Sequence, residues 1–303
     1  MQTSRGKDAT GGASARREAT GSFGAVAPRA KVPSRATVSR RAVAVRRAAI
    51  TLAVIVGVTL AAELIVRLTH VAPYVFPPPS AVLSALIHQP GLFARNALVT
   101  LYEAAAGLAL GAAAALAFAA AALHSRLLDR VLSPLVVASQ TVPVIALAPL
   151  LVLWLGYGAL PRVIVCALIA FFPMAVTTLE GLRATDPQLL ELLRSVGASR
   201  WDVFWRVRFP GAAPYLTAGL RTGATLSLVG AVVAEWTGAD HGLGYLVLSA
   251  NAQLATAQAF AAVLLITLMG LAAYGGVVLS QRRLGRWHPA RQKDRLRTTR
   301  GTA

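Results

Sequence analysis

The sequence predicts an all-α membrane protein, a polytopic bundle of six transmembrane helices. Composition is the first reason: 56% of the 303 residues are hydrophobic and only 14% are charged, against about 45–50% and about 25% in soluble domains. Charge placement is the second. The net charge is +18, but 19 of the 30 Lys and Arg residues lie in the terminal segments 1–47 and 282–303. A nearly neutral apolar body between two basic tails is typical of a membrane protein, and neither tail carries a folded basic module for nucleic acid.

Six stretches of the body are long and apolar enough to cross a membrane. About 30 Å of hydrocarbon takes about 20 residues of helix. None of the stretches shows the alternating pattern of a membrane β-barrel. The predicted spans are 48–68, 97–123, 131–155, 163–179, 216–234 and 260–279.

The distribution of basic residues predicts the orientation. With both termini in the cytoplasm, 27 of the 30 Lys and Arg residues fall on the cytoplasmic side, as the positive-inside rule expects. The outer loops 69–94, 156–161 and 235–259 contain no Lys or Arg, whereas the inner loops 124–130 and 180–214 contain seven arginines. We therefore expect a multi-pass protein with two basic cytoplasmic tails, 1–47 and 286–303, the first of them disordered by composition.

The chain shows no pattern for catalysis or metal binding. Its one cysteine, Cys166, excludes a disulfide framework, and its histidines lack ligand spacing. A Gly-x-x-x-x-Gly-Lys-Ser/Thr phosphate loop is also absent from the sequence. We expect no catalytic residue, no metal and no cofactor bound by this chain.

Several residues inside the spans depart from a plain apolar helix. Gly107 and Gly111 allow close approach of a neighbouring helix. In the third span, Pro143 invites a kink, and Gln140 and Thr141 just before it place polar groups at membrane depth. Such residues usually line a cavity or a helix seam, which makes Gln140 and Thr141 candidates for a translocation pathway.

Ionisable residues in spans are functional candidates because burying them is costly. Glu235, beside Trp236 at the end of the fifth span, either belongs to the pathway or its gate, or anchors the helix at the membrane interface. Glu63 and Arg67 are four residues apart and are expected to pair. Glu103 either faces a cavity or pairs with a neighbouring helix.

The inner loop 180–214 is too patterned for a flexible linker. Asp186 followed by Pro187 predicts a helix start, and Gly197 predicts its end. Ser199 with Asp202 resembles a capping box that starts a second amphipathic helix reaching Pro210. The first predicted helix, between Asp186 and Gly197, carries an apolar stripe of Leu189, Leu190, Leu192, Leu193 and Val196.

Two interpretations of these helices remain open on physical grounds. They either rest on lipid headgroups or dock into a groove of a cytoplasmic partner.

The spacing in this loop resembles the EAA loop of bacterial ABC importer permeases. That pattern is E-A-A, three residues, G, nine residues, then I-x-L-P. Glu191, Gly197 and Pro210 stand at the matching positions. Leu192 and Leu193 replace the two alanines, and Val207 and Phe209 replace the isoleucine and leucine.

The resemblance covers residues 95–285 and implies the type I importer (MetI-like) permease fold, with 48–94 as a preceding helix and outer loop. It implies a bacterial inner-membrane protein, a separate ATPase subunit that binds the ATP, an extracytoplasmic solute-binding protein and a second permease copy, giving a homodimer in the lipid membrane. In that family the loop couples ATPase closure to the transmembrane gate. The residues assigned to this coupling are Asp186, Leu189, Glu191, Leu192, Leu193, Gly197, Ala198, Arg200 and Pro210.

Further stretches are similar to the nitrate, sulfonate, taurine and thiamine-precursor branch. They include Phe76-Pro-Pro-Pro-Ser80 and Gly242-Leu-Gly-Tyr245. Glu235-Trp-Thr-Gly238 with Asn251-Ala-Gln253 resembles permeases for hydroxymethylpyrimidine-type precursors, which adds Asn251 to the pathway candidates. Outer loops without Lys or Arg disfavour a strongly anionic solute.

The alternative function is a secondary transporter or channel that needs no ATPase. It would predict charged or broken helices at mid-membrane, often in repeated halves. The sequence shows no internal repeat and few charges within the spans.

Overall fold

The structure is a computed structural model that describes residues 40–125, 130, 134, 138 and 143–284. The chain divides into two compact units, residues 1–55 and 56–303. The described part of the first unit is the beginning of one helix, and its large apolar side chains, such as Ile50 and Leu52, are exposed. The second unit contains all the features discussed below.

The described residues form helices joined by short loops, without strands. Five of these helices, α1, α3, α5, α8 and α10, are long and apolar enough to cross a membrane. In chain order the helices with labels are α1 (Arg40–Leu68), α2 (Pro79–His88), α3 (Pro90–His124), α4 (Val144–Leu155), α5 (Ala159–Arg183), α6 (Pro187–Ser195), α7 (Arg200–Val203), α8 (Ala213–Glu235), α9 (Leu243–Ala252) and α10 (Thr256–Leu284). A π-helical turn (Phe204–Arg208) and a three-residue helix (Phe209–Gly211) lie between α7 and α8.

Five of the six predicted spans coincide with these long helices; the spans 48–68, 97–123 and 216–234 end within one residue of their helices, whereas most other ends are extended by several residues in the structure. The span predicted over 163–179 belongs to a helix of 25 residues, α5. A prediction from hydropathy ends a span at the first charged side chain. Arg162 and Glu180, which flank the predicted span, are nevertheless part of the helix. Of the third predicted span, 131–155, the structure describes mainly its second half, α4, which follows Pro143 directly.

Helices α3, α5 and α8 form the centre of the bundle, and small residues set their spacing. A Cβ on Gly107 would collide with the Cβ of Cys166 and lie 2.9 Å from the carbonyl oxygen of Val163. A Cβ on Gly111 would lie 2.8 Å from the carbonyl oxygen of Ala167. The predicted close approach at these two glycines is therefore confirmed, with α5 as the neighbour.

The corner between α1 and α2 is held by Glu63. Its carboxylate pairs with Arg67 at 2.7 Å, as predicted from the spacing. It also accepts hydrogen bonds from the backbone N–H of Ser80 at 2.9 Å and from the Ser80 hydroxyl at 2.7 Å. Glu63 thus satisfies a free amide in the first turn of α2, where Pro79 contributes none.

Candidate functional site

The loop between α5 and α8 begins with a well-defined short helix, α6. The Asp186 carboxylate accepts a hydrogen bond from the Gln188 backbone N–H at 2.9 Å, which caps the helix start as predicted. Gly197 ends the helix in a left-handed conformation, with φ +77°. Leu192 and Val196 are 61% and 72% exposed. An apolar face without a partner in the described chain therefore lies on α6.

The second half of the loop keeps its predicted start but not its predicted regularity. The Ser199 hydroxyl accepts from the Asp202 backbone N–H at 3.1 Å and donates to the Asp202 carboxylate at 2.5 Å, so the helix start is confirmed. The expectation of one amphipathic helix up to Pro210 is wrong, because α7 gives way to a π-helical turn over Phe204–Arg208. Pro210 has no N–H to continue the regular ladder, and a wider turn accommodates this.

Most residues assigned to coupling lie at the surface of this loop. Leu193 and Ala198 are half-buried, whereas the exposed ones are Asp186, Leu189, Glu191, Leu192, Gly197, Arg200 and Pro210. Their assignment to a partner interface stays a prediction, and their exposure is compatible with it.

A buried polar cluster lies at the opposite end of α8 from this loop; we call it the α9 cap cluster and define it as Asn96, Thr100, Glu235 and the backbone of Gly242–Gly244. Glu235 is only 1% exposed. Its Oε1 accepts from the Thr100 hydroxyl at 2.6 Å, and its Oε2 accepts from the Gly244 N–H at 2.5 Å. Because the first amides of a helix have no partner within the helix, this carboxylate completes the start of α9.

Two residues of α3 finish the cap. The Thr100 hydroxyl oxygen accepts from the Leu243 N–H at 2.8 Å, and the Asn96 side-chain oxygen accepts from the Gly242 N–H at 2.7 Å. Gly242 has φ +121°, and a Cβ there would collide with the Glu235 carboxylate. The glycine is required both by its backbone conformation and by the absence of space.

Next to this cluster, Glu103 of α3 meets Arg162 of α5. Arg162 Nη1 lies 3.0 Å from Glu103 Oε1, and Glu103 is fully buried. The Nε of Arg162 donates to the Gly158 carbonyl at 2.8 Å, which orients the guanidinium. The contact is an ion pair without hydrogen-bond alignment, so both Glu103 oxygens lack a hydrogen-bond donor among the described residues. Of the two alternatives for Glu103, pairing with a neighbouring helix is the one observed.

The structure describes three of the five residues assigned to the pathway. Gln140 and Thr141 lie outside the described residues. Glu235 is buried, whereas Trp236 and Asn251 are exposed. Asn251 lies seven residues along α9 from Gly244, roughly 10 Å from the Glu235 contact. The burial of Glu235 does not fit the interfacial-anchor alternative, and the pathway assignment stays a prediction.

Sequence reasoning missed Asn96 and Thr100, although a signal for them exists. Asn96, Thr100 and Glu103 are spaced i, i+4, i+7, and Gly107 and Gly111 continue that line along α3. All five are buried. A stripe of polar and small residues on one face of an apolar helix therefore marks the buried seam.

The described residues contain no group of three or more His, Cys, Asp or Glu side chains arranged to hold a metal ion. The side chains of the α5–α8 loop and of the α9 cap cluster, with the neighbouring Glu103–Arg162 pair, make hydrogen bonds and ion pairs.

Comparison with known proteins decides the family. Residues 107–286 match the family described as "Binding-protein-dependent transport system inner membrane component". A probable ABC transporter permease protein of Haemophilus influenzae is 38% identical over 73% of this chain and 90% of its own length. The chain belongs to this family of ABC importer permeases. The permease is accordingly a transport subunit embedded in the membrane by several spans, in an importer that also has ATPase and solute-binding components.

Other relatives carry more specific names. The formylaminopyrimidine transport permease protein ThiX of Halalkalibacterium halodurans is 35% identical over 68% of this permease and 82% of its own length. Further relatives, at 35% to 30% identity, are named for transport of riboflavin, aliphatic sulfonates and taurine. The predicted resemblance to this branch of importers is confirmed.

A solved structure supports the fold. A crystal structure of an amino acid ABC transporter with histidines superposes with a TM-score of 0.53 at 21% identity, covering 66% of this permease and 97% of that chain. The predicted permease fold is confirmed. The family also favours an ATPase-driven importer over the alternative of a secondary transporter or channel.

Proposed function

We propose that this permease forms a homodimer in the bacterial inner membrane and imports a small heterocyclic solute of the thiamine-precursor type. An extracytoplasmic binding protein delivers the solute, and two separate ATPase subunits hydrolyse ATP on the cytoplasmic side. The observation that carries the coupling part is the exposed apolar face of α6, which sits at the positions of the EAA pattern.

The loop supports docking because it combines exposure with local order. α6 is capped at its start by Asp186 and closed by Gly197, so its shape does not depend on a partner. Leu192 and Val196 are exposed on it, as a helix that lies in a groove requires. Closure of the ATPase subunits would then move α6, and α5 and α8, which flank the loop, would carry that movement into the membrane.

The orientation proposed for this arrangement rests on charge. Loop 180–214 contains five arginines, and the loops at the other membrane face contain neither Lys nor Arg. The positive-inside rule then assigns this loop and both termini to the cytoplasm. Contact of the basic tails with anionic lipid follows from the same asymmetry.

The coupling part can be tested with one charge reversal and one matched control. Glu191→Lys is expected to reduce both the retention of the ATPase subunit and ATP-driven uptake in proteoliposomes roughly tenfold, because a charge-assisted contact contributes about 1.5–3 kcal/mol. Glu180→Lys makes the same charge change at an exposed residue near the end of α5, outside α6, and should leave both readings close to wild type. Equal effects of the two variants would remove the coupling assignment.

The solute class is supported by the relatives and by the outer loops. The formylaminopyrimidine and riboflavin permeases are each 35% identical, whereas the sulfonate and taurine permeases are 31% and 30% identical. Outer loops without Lys or Arg also offer little attraction to a strong anion.

A sulfonate such as taurine is the second candidate, favoured by those same relatives. Uptake by the complete importer should be measured with a labelled aminopyrimidine and with labelled taurine, each competed by the other. Uptake of the pyrimidine alone supports the first candidate, and uptake of taurine alone supports the second. ATPase stimulation by neither solute would refute both.

A further inference from the structure

A cavity of about 470 Å³ lies between the end of α3 and the loop that follows α5. Its charged lining consists of Arg194 of α6, Arg200 at the start of α7 and Arg208 at the end of the π-helical turn. His124, the last residue of α3, adds a fourth nitrogen-bearing side chain. The arginines come from three separate turns of the chain, and the fold brings them to one cavity.

The positive charge of this cavity is not compensated within the described chain. No Asp or Glu is among the described residues that line it. Asp202, in the same part of the loop, is engaged by the Ser199 hydroxyl at 2.5 Å and by Arg206 at 3.3 Å. Burial, and then the neighbouring charge of Arg194, lowers the pKa of Arg208. Arg194 and Arg200 are exposed, so water screens part of their charge, and an anion bound between them and Arg208 would remove the remaining repulsion.

The cavity lies on a different side of α6 from its exposed apolar residues, although Ala198 and Arg200, which are assigned to coupling, also line it. Leu190 and Arg194, four residues apart, line the cavity, whereas Leu189, Leu192 and Val196 are exposed. An occupant would therefore contact α6 without covering the exposed leucines.

The chemistry of the lining indicates which anion fits. Guanidinium groups offer planar pairs of N–H donors that match two oxygens of a phosphate. A bare ion would leave most of 470 Å³ empty. Leu123, Leu190 and Phe204 provide an apolar wall on which an organic substituent can rest.

We propose that this cavity binds the phosphate group of a phosphate ester, using Arg194, Arg200 and Arg208, and so ties α6 to α7 and to the π-helical turn. The site is additional to the transport function proposed above. A phospholipid headgroup and a soluble phosphate ester share this chemistry, and the two sources differ in whether the ligand has acyl chains. Binding would fix the position of α6 relative to the π-helical turn and thereby set how readily α6 moves.

The test measures thermal unfolding of the full-length permease alone, so it does not depend on ATPase or solute. One arm adds glycerol phosphate to the detergent-solubilised protein, with chloride at equal ionic strength as the reference. The other compares nanodiscs of phosphatidylcholine with nanodiscs that also contain phosphatidylglycerol. Variants Arg194→Gln and Arg200→Gln remove one cavity cation each, and Arg206→Gln, which pairs with Asp202 instead, is the matched control.

At ten times the dissociation constant, the ligand is expected to raise the unfolding temperature by roughly 3–5 °C. The rise should disappear in Arg194→Gln and Arg200→Gln and persist in Arg206→Gln. A rise with glycerol phosphate assigns a soluble ligand, and a rise with phosphatidylglycerol alone assigns a lipid.

Equal shifts in all variants, or no shift with either source, would overturn the proposal. So would loss of a co-purified ATPase from the cavity variants without any phosphate effect, because the arginines would then serve a carboxylate of that partner.

Discussion

Short helices begin near both ends of helices α5 and α8, but their first turns are capped in opposite ways. At one end, α9 begins against Asn96 and Thr100, which belong to α3, and against Glu235, all of them buried. At the other end, α6 and α7 begin with their own neighbours, Asp186 and Ser199, both of them exposed. The first start depends on the assembled bundle, whereas the second forms locally.

This difference predicts a difference in mobility. Movement of the start of α9 away from the α9 cap cluster would break several buried hydrogen bonds at once. Because each lost bond would leave a buried polar group without a partner, this movement is strongly unfavourable. The loop carrying α6 has exposed side chains and local caps, so it can shift as a unit while staying helical. Such an asymmetry suits the proposed coupling role of the loop, in which movement of the ATPase subunits reaches the permease at one end only.

The largest expected effect comes from the buried ion pair. Arg162→Met leaves the Glu103 carboxylate buried without its cation, and removing one partner of a buried pair costs about 3–5 kcal/mol. Arg206→Met removes the partner of Asp202 from an exposed pair, which costs at most about 1 kcal/mol. Thermal unfolding of both variants measures the difference. The double variant Glu103→Gln/Arg162→Met should recover part of the loss, and equal losses from the two single variants would contradict the assigned burial.

An intermediate effect is expected from two glycines with positive φ. Gly242→Ala places a Cβ on the Glu235 carboxylate and should destabilise the fold by about 3 kcal/mol or more, since strain adds to the loss of cap hydrogen bonds. Gly197→Ala has φ +77° but no atom within 4 Å of the added Cβ, so only the backbone cost of about 1–2 kcal/mol applies. Denaturation of the two variants side by side checks this, and a Gly197→Ala loss as large as that of Gly242→Ala would be inconsistent with the open space.

The smallest effect should come from a local cap. Ser199→Ala removes the side chain that accepts from the Asp202 N–H and should weaken the start of α7 by about 1 kcal/mol. We expect faster amide hydrogen exchange confined to the α7 region. The free energy of global unfolding should change little. Ser195→Ala, whose hydroxyl donates only to the Leu192 carbonyl at 2.8 Å, serves as the control. A change spreading into α9 would show that the two ends are coupled.

The sequence was sufficient to predict features that depend on near neighbours. The long helices follow from apolar length, and the caps at Asp186 and Ser199 follow from residues within three positions of each other. The contact of Glu235 with Thr100 joins residues 135 positions apart, so no local pattern could pair them. The π-helical turn before Pro210 could not be predicted from the sequence either, because an alternation of apolar and basic residues is equally compatible with a regular α-helix.

The close fit of Gly107 against Cys166 has a practical consequence for following movement in this permease. Cys166 is the only cysteine of the chain and is fully buried between helices, where thiol reagents have no access. The natural protein therefore already serves as a background for single-cysteine labelling. A cysteine introduced at an exposed α6 residue such as Gln188 would be the one site to take a spin or fluorescent label, and the mobility of the spin label or the emission of the fluorophore would report changes around the loop during transport.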